Sequence, residues 1–160
     1  MIKLYHNPFL LDFIKVCAKM PDDERAQSEA FSGQEYSVDR VAVAHFTAPG
    51  PKWVGKLDDE TPIFIGGFIE RRPGVWHDFM INTPTAWEHW FQTTRICRRV
   101  MDAMLMTDAH RLQTVVPVPR LTSRPELVRW YKVLGYNREA LLHGYCANGA
   151  DAVVFSRVKH

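Results

Sequence analysis

Val128-Arg129-Trp130-Tyr131-Lys132-Val133-Leu134-Gly135-Tyr136 reads as the last two turns of a helix and its stop. Pro125 opens that helix, where a missing N–H costs nothing. Gly135 closes it, because a residue just past a helix often needs the left-handed conformation that glycine adopts freely. Trp130, Tyr131 and Leu134 fall on one apolar face suited to packing on a sheet.

Working outward from this helix gives the fold. On its C-terminal side, Glu139–Cys146 and Asp151–Val158 are two strand-like runs around the turn Ala147-Asn148-Gly149. On its N-terminal side, Leu112–Val118 reads as a buried strand. Before that, Pro84 and Thr85 open one long helix running to Ala109. Trp87, Trp90, Phe91, Thr94, Cys97, Met101, Met104 and Leu105 form its apolar stripe. Three strand-like runs precede it: Trp53–Leu57, Pro62–Glu70 and Val75–Asn82. Short charged or glycine-containing turns join them into an antiparallel meander. Gly66 and Gly67 inside the middle run suggest a bulge or the close approach of another backbone.

The N-terminal third is helical in pattern. Ile2–Tyr5 suits a short first strand, and Phe9–Met20 repeats apolar residues at helical spacing. Pro21, Asp22 and Asp23 begin a second helix, with acids at its positive end, and Gly33 closes it. Ser37–Phe46 carries two patterns. Val41 and Val43 alternate as in a strand, while Val38, Val41, Ala42 and His45 share a helical face that Ser37 would cap; the helix is favoured. The whole chain, residues 1–160, is expected to be one α+β domain with a mixed, mostly antiparallel sheet flanked by helices.

Composition narrows the function. With 160 residues and 46 % apolar content the chain is long enough for one core. No apolar run approaches the roughly 18 residues of a membrane span. Met1–Met20 is interrupted by Lys3, His6, Asp12 and Lys15, unlike a secretory leader, so a cytoplasmic protein is expected. A net charge of +2 argues against a general nucleic-acid binder. Local basic residues (Arg95, Arg98, Arg99, Arg111, Arg120, Arg124 and Arg129) suit either a solvated helix face or a rim facing phosphate. Cys17, Cys97 and Cys146 are odd in number and lack metal-ligand or Cys-x-x-Cys spacing, so free thiols are expected.

The order of elements from Pro62 to Lys159, about 100 residues, resembles the GNAT superfamily of acyl-CoA-dependent N-acetyltransferases. Residues 128–136 look like that family's helix ending in Tyr-x-x-x-Gly-Phe, with Tyr136 where phenylalanine is usual. The resemblance implies acetyl transfer from acetyl-CoA to an amine of a protein or small molecule. The pantetheine arm would lie between splayed central strands. Tyr131 would return a proton to the leaving thiolate, an acid role that a neutral phenol suits. Glu70 or Asp78 would take the proton of the amine, directly or through water, with His77 a lesser candidate.

One departure stands out. The family follows its fourth strand with Gln/Arg-x-x-Gly-x-Gly/Ala, whose bare backbone N–H groups hold the CoA diphosphate at a helix start. No glycine occurs here from Asn82 to Arg99. By spacing, Asn82, Gln92, Thr93, Thr94 and Arg95 are the candidate cofactor contacts, amid bulky Trp87, Trp90 and Phe91. Ile65-Gly66-Gly67 followed by Val75-Trp76 also resembles small tailed-phage proteins, some acetyltransferase-like and others internal virion or head-assembly proteins. That resemblance implies a phage-encoded chain in the host cytoplasm or the virion. The sequence thus leaves two readings: an acetyl-CoA-dependent transferase, or a non-catalytic assembly or partner-binding protein on the same scaffold.

Overall fold

The computed structural model describes residues 1–160. Along the chain run β1 (Lys3–His6), α1 (Leu10–Ala18), α2 (Asp22–Ser32), α3 (Val38–Thr47), β2 (Lys52–Lys56), β3 (Pro62–Arg72) and β4 (Val75–Asn82). They are followed by α4 (Pro84–Glu88), α5 (Trp90–Thr107), β5 (Arg111–Pro117), α6 (Val118–Ser123), α7 (Glu126–Val133), β6 (Asn137–Leu142) and β7 (Ala152–Val158). The seven strands form one sheet in the order β1-β2-β3-β4-β5-β7-β6. Every neighbouring pair is antiparallel except β4 and β5.

That one parallel pair positions the site. It is registered only over Val75–His77 against Arg111–Gln113. From Asp78 and Thr114 onward the two strands no longer pair, and the centre of the sheet splits. Each side of the split is held by helices. On one face, Phe13, Val16 and Cys17 of α1 and Val41 and Ala42 of α3 pack on Val54, Ile65 and Ile81. On the same face, Ala30 of α2 covers Val115 and Ala152 beyond the split. On the opposite face, Met101, Met104 and Leu105 of α5, Leu127 and Tyr131 of α7, and Leu134 just after it pack on Phe68, Leu112, Val153 and Phe155. Burying such side chains at about 1.5–3 kcal/mol each supplies the main drive for this two-sided covering.

Local chemistry sets the helix ends. Ser37 caps α3 by accepting from the Arg40 N–H at 3.4 Å, so the helical pattern over residues 37–46 prevails. Gly33 ends α2 at φ +68°. In α1, Asp12 reaches back to accept from the Phe9 N–H at 3.0 Å and pairs with Lys56 Nζ at 2.9 Å.

Four expectations need correction. The long helix after Pro84 is broken at His89, whose φ and ψ of −102° and 29° are not helical. The Thr93 hydroxyl donates to the Ala86 carbonyl at 3.1 Å, satisfying an acceptor that an unbroken helix would give to the Trp90 N–H. Trp90 and Phe91 lie outside the apolar stripe: they are 55 % and 67 % exposed and pack edge to face on each other. Val118 begins the short helix α6 rather than ending β5, because Pro117 stops the ladder. The strand read as Glu139–Cys146 ends at Leu142, where Asp151 accepts from the Gly144 N–H at 2.8 Å and turns the chain.

The glycine pair in β3 also has an assigned cause. The register irregularities of β3 fall beside Gly55 and Glu70, away from the pair. A Cβ on Gly67 would sit 2.7 Å from the Phe79 ring and 3.0 Å from the Pro51 carbonyl oxygen. That carbonyl accepts from the Phe68 N–H at 3.1 Å, so another backbone does approach here.

Candidate active site in the strand split

A cavity of about 540 Å³ occupies the split and runs from the α2–α3 face to the α5–α7 face. Its size suits a small-molecule site. Gln27, Ser28 and His45 line one end, and Trp87, Cys97 and Tyr131 line the other.

Asp78 stands on β4 at the point where pairing with β5 ceases. The Tyr136 hydroxyl donates to its carboxylate, and Thr114 on β5 supports it from the far side of the split. Burial outweighs both contacts and pushes the Asp78 carboxyl up to about 7. Asp78 therefore exchanges a proton near neutrality, the condition for general acid–base work. Burial and the Asp78 charge push the neighbouring Cys97 thiol up to about 12, which removes it as a nucleophile.

Tyr131 projects from α7 with its ring stacked on Phe155, the centroids 4.6 Å apart and the planes 21° from parallel. Burial holds the phenol well above its ordinary range, so it stays protonated. Tyr131 lines the cavity, and its hydroxyl has no hydrogen-bond partner in the protein. His77 also lines the cavity, but burial pulls its imidazole down to about 4 and keeps it neutral.

A second cluster closes one end of the split. Glu24 of α2 accepts from the Asn82 N–H and from Asn82 Nδ2, both at 3.0 Å. Arg120 of α6 reaches the same carboxylate at 3.3 Å while donating to Asp23 at 3.0 Å and to Gln27 at 2.8 Å. Burial pushes the Glu24 carboxyl up, against the pull of Arg120. Two buried polar atoms on the cavity wall remain unpaired, Asn82 Oδ1 and Trp87 Nε1.

The structure thus gathers Asp78, Tyr131 and Asn82 at one cavity. Glu70 is not there: it is exposed at the β3–β4 turn, where it accepts from the Gly74 N–H at 3.1 Å. Gln92 and Arg95 are exposed on α5, away from the cavity lining. Thr93 and Thr94 are buried, and their hydroxyls donate to the Ala86 and Trp90 carbonyls. Thr94 also accepts from Trp130 Nε1 at 2.9 Å. Sequence reading missed Glu24 and Thr114, and named Arg120 only among arginines suited to a solvated face or a phosphate-facing rim, whereas it is matched by Asp23, Glu24 and Gln27. Nothing local marks the three, since they meet only when α2, β5 and α6 converge. Tyr136 did carry a signal, being a phenol where the resembling motif has a plain ring.

The residues fit part of CoA. The unpaired edge of β4 and the two orphaned polar atoms suit an extended arm bearing amides. The diphosphate does not fit. Helix α4 takes the place of a glycine loop, and its Trp87 is wedged between Trp130, with centroids 5.3 Å apart, and the Arg124 guanidinium, 5.4 Å from the ring. Arg120 and Arg124 are already matched by Asp23, Glu24 and Glu126, so neither offers a free guanidinium to phosphate.

No described family matches the sequence, and no curated protein is similar to it. Solved structures are similar. A putative acetyltransferase from Acinetobacter baylyi ADP1 superposes with a TM-score of 0.75 at 8 % identity, covering 99 % of this chain and 93 % of that one. A spermidine N-acetyltransferase chimera of Vibrio cholerae and human sequences gives 0.69 at 15 % identity, covering 98 % and 95 %. A protein from Streptococcus mutans UA159 gives 0.69 at 17 % identity, covering 98 % of each chain. The chain has the α+β fold of the GNAT acetyltransferases. At these identities the likeness extends to the fold and no further.

Proposed function

We propose that this protein is an N-acetyltransferase-like enzyme that moves an acetyl group from a thioester donor to an amine inside the strand split. One observation carries the reading: a single cavity joins a carboxyl that burial pushes up to about 7, Asp78, with a phenol that has no protein partner and carries its proton at neutral pH, Tyr131. Asp78 accepts the proton of the amine, and Thr114 and Tyr136 hold its carboxylate in place. Tyr131 supplies a proton to the departing thiolate. Most of the lining is apolar, so both groups act in a medium where their charges count for more than in open water. No step is assigned to the donor's diphosphate, for which the chain offers no cradle. Helices α2 and α3 supply the acceptor side of the cavity through Gln27, Ser28 and His45. No helix is long and apolar enough to cross a membrane.

Calorimetric titration with acetyl-CoA, followed by turnover assays on a panel of amines, tests the proposal. Binding with turnover that depends on Tyr131 and Asp78 supports it. Absence of heat with both acetyl-CoA and S-acetyl-pantetheine at millimolar concentration, in wild type and in Glu24→Ala, overturns it.

A second reading is favoured by helix α4 and by the exposed pair Trp90 and Phe91: a non-catalytic partner-binding or assembly protein, encoded by a phage, on the same scaffold. In that case a stable complex or oligomer forms and is weakened by Trp90→Ser with Phe91→Ser, without any effect of acetyl-CoA.

A further inference from the structure

The split in the sheet is a strand edge. Beyond His77, β4 has no partner strand on its β5 side. Such an edge presents backbone donors and acceptors that an extended, amide-bearing ligand can pair with. At Asn82 that position is already filled from within the chain. Glu24 takes both the backbone N–H and the side-chain Nδ2 of Asn82, each at 3.0 Å. Arg120, which follows β5 in α6, grips the same carboxylate at 3.3 Å. One carboxylate therefore ties β4 to the far side of the split. Glu24 is 5 % exposed and Arg120 is 8 % exposed, so the tie lies inside the protein and is not a surface ion pair.

We infer that Glu24 is a latch: it occupies the edge of β4 at Asn82 and must leave before the arm of a thioester donor can lie along that strand. The inference rests on the transfer reading and adds to it the residue that decides which donors enter. Arg120 keeps Asp23 and Gln27 when Glu24 departs, so release strands no buried guanidinium. The Asn82 N–H passes from the carboxylate to an amide carbonyl of the ligand, and Asn82 Oδ1, unpaired now, gains a donor. The closed latch and the missing diphosphate cradle act in the same direction, making the resting protein a poor receptor for long donors.

The test compares wild type with Glu24→Ala and the isosteric Glu24→Gln, using S-acetyl-pantetheine, which lacks the nucleotide diphosphate, and acetyl-CoA as probes. Calorimetry is expected to show S-acetyl-pantetheine binding at least tenfold tighter in Glu24→Ala than in wild type, with Glu24→Gln between them. Hydrogen exchange at the Asn82 amide is expected to quicken in Glu24→Ala and to slow again when the probe is added. Equal affinity in wild type and Glu24→Ala overturns the latch and leaves the transfer reading standing. Fast Asn82 exchange in Glu24→Ala with no probe binding in any variant overturns both and leaves the partner-binding reading.

Discussion

The Tyr136 hydroxyl donates to the Asp78 carboxylate across the open part of the sheet, linking the residue after the Gly135 stop to the strand where pairing ends. Burial raises Asp78, and the Tyr136 and Thr114 contacts hold that rise in check. Tyr136→Phe removes one of these contacts, so the Asp78 midpoint is expected to move above about 7, as read by carboxyl carbon NMR.

Asp78 also ties stability to pH. Its folded value of about 7 lies above the ordinary 3.8, so between these values the folded chain holds a proton that the unfolded chain has lost. Its contribution is full below about pH 4 and is lost as pH rises through about 7. His77, pulled down to about 4, acts in the opposite sense over much of the same range. The informative measurement is the difference between wild type and Asp78→Asn in urea denaturation at several pH values. The wild type is expected to lose stability relative to the variant as pH rises from 4 to 7.

Tyr131→Phe separates chemistry from packing. The Tyr131 hydroxyl has no protein partner while the ring stacks on Phe155, so the variant should keep its stability within about 1 kcal/mol. Turnover of a thioester donor should fall by about 10²-fold or more, the usual loss of a general acid. Tyr131→Ala removes the ring as well and is expected to cost about 3–5 kcal/mol in denaturant unfolding.

Gly50 and Gly144 both have positive φ, at +116° and +59°, but differ in their surroundings. A Cβ on Gly50 would lie 2.0 Å from the Phe68 carbonyl oxygen, while a Cβ on Gly144 meets nothing within 4 Å. Gly144→Ala should cost only about 1 kcal/mol, for backbone strain. Gly50→Ala adds a backbone collision and should cost more than about 2 kcal/mol. Thermal unfolding of the two variants side by side checks the order.

Thr93→Val tests the break between α4 and α5. It removes the hydroxyl that satisfies the Ala86 carbonyl at 3.1 Å and should cost about 1–3 kcal/mol, with little change in volume.

Much of the fold was legible in the sequence because it is written in local periods and stops. The meander, the glycine stops at Gly33 and Gly135 and the Ser37 cap all act within a few residues. Asp78 and Tyr131 were legible as candidates because they fall on recognisable elements. Glu70 was not excluded by pattern: its place at the turn end of β3 follows from how the hairpin is registered. The candidate cofactor contacts on α5 failed to reach the cavity because the break at His89 reorients the helix start, and that break depends on a hydroxyl seven residues from its acceptor. Glu24, 58 residues from Asn82, has no local signature at all.

The seam between β4 and β5 spans only three residue pairs, whereas β5 and β7 are registered over seven. The sheet is in effect two slabs, β1–β4 and β5–β7, joined along a short spine and clasped by Glu24, Asp78 and their partners. Pulled apart at its ends, the molecule should yield first along that spine, with each slab surviving as a unit. In native-state exchange the two slabs should accordingly open as separate cooperative units, the spine amides tracking the less stable of the two.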